Sequence, residues 1–167
     1  EFSADHTWTR AAEKRVLVVG TFHDDIEFTK DKIWYLDGAV FIGNNAQNPG
    51  GAIGNTLTIA AGTEIRGDVS ASNPGVLIIT RGSEISAVGT ATNPITFTSA
   101  NAPGDRGAGD WGGLIMNGYA RVQGEYAEGE GGTGEYGGGD ADSAVDDDSS
   151  GTIKYVRVQF AGTLFSP

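Results

Sequence analysis

The stretch GDADSAVDDDSSG, Gly139 to Gly151, gathers Asp140, Asp142, Asp146, Asp147 and Asp148. Calcium takes about six to eight hard oxygens from clustered carboxylates and loop carbonyls, so these five aspartates are the candidate ligands of a calcium ion. The spacing is not that of an EF-hand: Asp140 and Asp142 open like one, but Ala144 stands at the third ligand position and no glutamate closes the loop. The competing reading is a solvated acidic insertion that keeps the surface soluble. If calcium binds here, its removal loosens this loop and leaves the rest of the fold standing.

A second cluster, HDDIE from His23 to Glu27, would put His23, Asp25 and Glu27 on one side of a strand, where they could hold a divalent ion or simply form a polar edge. His6 is the only other histidine, which argues against a zinc hydrolase. Glu64 and Glu84 hold equal positions in two copies of one phrase, LTIAAGTEIRG (Leu57 to Gly67) and LIITRGSEISA (Leu77 to Ala87). On adjacent coils they would lie about 5 Å apart, near the carboxylate separation of a retaining glycosidase; the commoner meaning is a surface ladder position tied to a neighbouring Arg or Thr. Arg66 and Arg81 fall at different positions of the phrase and form no basic file. RGD, Arg66 to Asp68, is read as structural, with Gly67 turning the chain after Ile65, and VLVVGTFHDD as a strand without a nucleotide-binding helix behind it. Trp34, Tyr35, Trp111, Tyr119, Tyr126 and Tyr136 could stack on sugar faces, while Trp34 and Trp111 equally suit a cap and a coil corner.

The elements that would carry these residues are short strands. RVLVVG, IWYLDGAVFIG, NPITFTS and GTIKYVRVQFAG are apolar or alternating runs closed by Gly, Asn-Pro or Asp-Gly, and helix signals are nearly absent. Strands this short suit a parallel β-helix, in which each side chain lies on its counterpart one coil away. The twenty-residue offset of the two phrases predicts that Leu57, Ile59 and Ile65 lie beneath Leu77, Ile79 and Ile85, with Gly62 and Gly82 at corners that residues bearing a Cβ resist. A jelly roll or meander is the alternative, but antiparallel pairing does not require two identically ordered copies.

The 167 residues fit one domain, with residues 1–15 a tail or cap and residues 16–167 a solenoid interrupted at 125–150 by an acidic, glycine-rich insertion. A net charge of −11 repels phosphate backbones and anionic lipid, so no nucleic-acid partner is expected. No apolar run approaches the roughly 18 residues of a membrane span, and no membrane insertion is expected. With no cysteine there is neither a disulfide nor a thiolate metal site. The start, EFSADHTWTR, lacks a basic region followed by an apolar one, as expected of a chain that is not exported or whose leader has been removed.

The ordered phrases KIWYLDGAVFIG, LTIAAGTEIRGD, DWGGLIMNG and GTIKYVRVQFAGTLFSP resemble those of secreted or surface right-handed parallel β-helix proteins of the Bacteroidetes type, hypothetical or lipoprotein-like, over about Val16 to Pro167. The resemblance implies an all-β, right-handed parallel β-helix outside the cell or on a bacterial cell surface, and supplies no catalytic residues. Such proteins run on for further coils after the phrase AGTLFSP, so the expectation is a chain cut at its C-terminal edge, or an edge closed by self-assembly or by another chain. The role expected is structural or adhesive without catalysis, with calcium as the one cofactor; the alternative is a carbohydrate-active β-helix, a lyase, hydrolase or glycan-binding module.

Overall fold

The computed structural model describes residues 14–43, 54–138 and 145–164. Within them the chain forms β1 (Arg15–Phe22), β2 (Ile26–Phe28), β3 (Ile33–Ile42), β4 (Thr56–Ile59), β5 (Glu64–Gly67), β6 (Val76–Ile79), β7 (Glu84–Val88), β8 (Ile95–Ser99) and β9 (Gly113–Met116). An insertion follows with β10 (Ala127–Glu128) and β11 (Glu135–Tyr136), and the chain resumes with β12 (Gly151–Lys154) and β13 (Val156–Val158). The only helix among the described residues is a single 3-10 turn, Glu130–Gly132.

The strands outside the insertion stack in parallel on three faces. The first face piles the leading half of β1, the leading half of β3, β5, β8 and β13. The second piles the trailing halves of β1 and β3, then β6 and β9. The third piles β2, β4, β7 and β12. The chain visits third, first and second faces in turn and then begins again one level on. This is a parallel β-helix, and the all-parallel pairing removes the jelly roll and the meander.

The predicted register does not hold. Leu57 lies beside Ile85 and Ile59 beside Ala87, whereas Leu77 lies between Val40 and Leu114. One coil therefore takes 28 residues from Leu57 to Ile85, 32 from Ile65 to Phe97 and 37 from Val40 to Leu77. The repeated phrase is a strand, a corner and a strand, shorter than a coil. Its first copy, β4 to β5, rounds the corner from third face to first, and its second, β6 to β7, the corner from second to third. The copies agree because the corners pose one problem. Thr63 and Ser83 each donate a backbone N–H to the carbonyl three residues back, Ala60 and Thr80. Gly62 and Gly82 supply φ of 84° and 77°, where a Cβ would be strained.

Leu57 and Leu77 nonetheless both point inward, from different faces, into one core. The files run through it in register: Trp34, Ile65 and Phe97 on the first face, Val40 and Leu77 on the second, Leu57 and Ile85 on the third. Two tryptophans finish it. Trp34 stacks on Phe28 with ring centroids 4.2 Å apart. Trp111 is fully buried over Phe97, donates its indole N–H to the Gln159 carbonyl at 2.8 Å, and lies so close to Gly67 that any Cβ there would strike its ring. Gly67 is thus the floor beneath Trp111 at the end of β5, rather than the turn expected of it. Asp37-Gly38 is a corner inside continuous β3, with Gly38 at φ 69°.

Candidate functional site

The insertion between β9 and β12 is no free loop. Ala127 pairs with Tyr136 and Glu128 with Glu135 in a small antiparallel hairpin, and the hairpin is fastened to the solenoid through Arg81 at the second-to-third corner. The Arg81 side chain is fully buried. Its Nη1 donates to the Gly137 carbonyl at 2.8 Å and its Nη2 to Glu135 Oε2 at 2.6 Å. The guanidinium lies 5.4 Å from the ring centroid of Tyr119 and 4.9 Å from that of Tyr126. Asn117 Nδ2 donates to the Thr133 carbonyl and the Gly137 N–H to that of Gly118, extending the seam along β9. Burial pushes the Tyr119 phenol above its ordinary value of 10.0 against the opposing pull of Arg81, so it stays neutral.

The insertion also explains β6. Alternation sends Leu77 and Ile79 inward and Val76 and Ile78 outward, yet all four are buried. Gly131 and Thr133 of the insertion border the same groove of about 380 Å³ as Ala39 and Val76, so the insertion lies across the outside of the second face. Two departures between the repeated phrases signal this arrangement in the sequence. Where the first copy has Thr58 and Ala61, the second has Ile78 and Arg81: an apolar residue on an outward position, and a cation at a corner.

The aspartates expected to bind calcium divide. Asp140 and Asp142 lie outside the described residues. Asp148 Oδ2 accepts the Tyr119 N–H at 2.9 Å, and Asp146 accepts both the Arg121 N–H and its guanidinium at 3.2 Å, closing this turn onto the chain after β9. Asp147 is exposed. Among the described residues no three His, Asp or Glu side chains are gathered to hold a metal ion, which includes His23, Asp25 and Glu27. There the His23 carbonyl accepts Asn55 Nδ2, and Asp25 Oδ1 accepts the Thr56 N–H.

The carboxylate pair is not formed. Glu64 opens β5 on the first face, beside Ile33 and Thr96, whereas Glu84 opens β7 on the third, beside Thr56. The two would meet only on a twenty-residue coil; coils of 28 and 32 residues place them on different sheets. Glu64 is instead bound by Arg66 Nε at 2.6 Å, and Arg66 Nη1 donates to the Tyr35 hydroxyl at 2.7 Å. Of the six aromatics weighed for sugar binding, Trp34, Trp111 and Tyr119 are buried and Tyr35 lies between Arg15 and Arg66. Tyr126 and Tyr136 remain exposed on the hairpin.

Residues 20–167 match the family model of the pectate-lyase-like β-helix domain. The chain belongs to that family. No curated protein and no solved structure matches it. In this β-helix domain the Arg81 guanidinium is buried beneath Tyr119 and Tyr126 and engaged by Glu135.

Proposed function

We propose that this β-helix domain is a structural or adhesive module of a secreted or cell-surface protein of the Bacteroidetes type, without a catalytic centre, and that the edge formed by β9, β12 and β13 receives a further coil, whether from a longer stretch of its own chain, a second copy or another chain. One observation carries the reading. On each face the last inward residue is uncovered: Val158 is 48% exposed on the first, Met116 38% on the second and Ile153 45% on the third. The residues beneath them one coil earlier, Phe97, Ile79 and Ala87, are fully buried. β9, β12 and β13 each pair on one side only among the described residues, so apolar side chains and unpaired backbone groups are presented together. Electron microscopy of the purified chain tests this: end-to-end oligomers are expected, and monodisperse monomers at high concentration would sink it.

Calcium belongs to the same reading. We place it at Asp146, Asp147 and Asp148 with Asp140 and Asp142, where it would tighten the insertion against Tyr119. Millimolar calcium is then expected to protect the segment from proteolysis with little change in the melting of the coils, and equal cleavage with calcium or chelator would remove it. A glycan-binding role is the second reading, favoured by exposed Tyr126 and Tyr136 on one hairpin; a glycan array on which Tyr136→Ala binds no less than the unmodified chain counts against it.

A further inference from the structure

The charges of this protein are segregated around its cross-section. All four lysines, Lys14, Lys30, Lys32 and Lys154, lie where the third face turns into the first. Lys14 precedes β1 and its carbonyl accepts the Ile33 N–H, Lys30 and Lys32 sit in the corner between β2 and β3, and Lys154 ends β12. Three of them border one groove of about 250 Å³. None of the four is ion-paired to another described residue. Of the acids nearby, Glu64 is ion-paired to Arg66, while Asp31, which accepts from Thr29 and lies near Lys32 and Lys14, and exposed Glu27 leave the four lysines in excess. The first face continues the positive strip outward with Arg15 and Arg157.

In a three-faced coil this corner is the one opposite the second face, and the second face is the one the acidic insertion covers. There Glu125, Glu128, Glu130 and Asp147 are exposed and unpaired among the described residues. A chain of net charge −11 thus holds a cationic ridge on one side and its densest carboxylates on the other. We propose that copies of this chain associate side by side, the lysine corner of one against the acidic insertion of the next.

The partner chemistry is on the molecule itself, which favours a second copy over a foreign anionic polymer. Because two different surfaces meet, the contact is head-to-tail and does not close on itself as a two-fold pair would. The contact does not rest on the open coil edge. It also has the opposite salt dependence: at about 0.1 M salt the Debye length of about 10 Å mutes the repulsion of distant charges while leaving touching pairs effective, and higher salt weakens those too.

Sedimentation velocity on a Val158→Lys background, which disables the edge, tests the lateral contact alone. Association is expected at 0.1 M NaCl and to weaken by about tenfold or more at 0.5 M. Lys30→Glu with Lys32→Glu is expected to abolish it, and adding Glu128→Lys with Glu130→Lys to restore it. Monomers at both salt concentrations, or association indifferent to the reversals, would overturn the proposal. So would retention of the chain on an immobilised anionic polysaccharide, dependent on Lys30 and Lys32, without any self-association.

Discussion

Arg81 is the residue on which the insertion depends. A buried guanidinium is costly unless its partners are in place, and removing one side of such a contact typically costs about 3 kcal/mol or more. Here Nε is buried without an acceptor among the described residues, so the balance rests on Glu135, the Gly137 carbonyl and the two tyrosine faces. Arg81→Ala is expected to lower stability in urea by about 3 kcal/mol and to open residues 119–137 to limited proteolysis while the coils resist. Cleavage no faster than in the unmodified chain would show that the hairpin is held otherwise. Asp110 makes the equivalent argument for pH. The Ser99 hydroxyl, the Gly107 N–H and Asn101 Nδ2 all donate to it, at 2.5, 3.0 and 3.1 Å. The Ser99 bond first, then those of Gly107 and Asn101 with Arg106 nearby, hold its carboxyl below the ordinary 3.8 against the opposing effect of burial. A depressed value stabilises the fold above the unfolded value and loses that stabilisation as pH falls through the folded one. Asp110→Asn should therefore flatten the decline of the melting temperature below about pH 4, and acid limbs of equal slope would contradict this.

At the scale of elements, the residues that face inward were readable and the length of a coil was not. Leu57, Ile59, Ile65, Leu77, Ile79 and Ile85 all enter the core, as their alternation demands. The corner glycines adopt the conformation their positions require. What the repeat concealed is that a corner recurs three times per coil, so two like corners need not lie one above the other. For the same reason Glu64 and Glu84 share a position in the phrase but not a face of the coil. Comparing the copies for their differences recovers more than comparing them for likeness, since Ile78 and Arg81 betray the covered second face. The insertion itself was not legible as a docked element, because its main anchor, Arg81, sits at a corner 54 residues before Glu135, and the nearer groups after β9, Asn117 and the Gly118 carbonyl, carry no sequence mark of that role. Since the chain has no cysteine, the register can be tested by introducing pairs. Thr58 and Ser86 are paired outward positions on the third face, and parallel neighbours about 4.8 Å apart are within reach of a disulfide. Thr58→Cys with Ser86→Cys is expected to cross-link within the chain on oxidation. Thr58→Cys with Ile78→Cys, twenty residues apart, is not, and the reverse outcome would reinstate the shorter coil.

At the scale of the whole, the described residues form a three-sided shaft with one covered face, one cationic corner and an apolar coil edge. Gly151 shows how firmly the last coil is seated: at φ 113° it passes so close to the Ile85 backbone that a Cβ would collide with it. The strands after the long insertion therefore return to the stack and do not drift from it. Belonging to a pectate-lyase-like β-helix family establishes the scaffold, and a scaffold carries function only through its surfaces. Sedimentation velocity at 0.5 M NaCl, with lateral charge contacts screened, decides the central point by comparing the unmodified chain with Val158→Lys. The unmodified chain is expected to associate increasingly with concentration while Val158→Lys remains monomeric with an unchanged circular dichroism spectrum; two chains that both sediment as monomers would contradict the account.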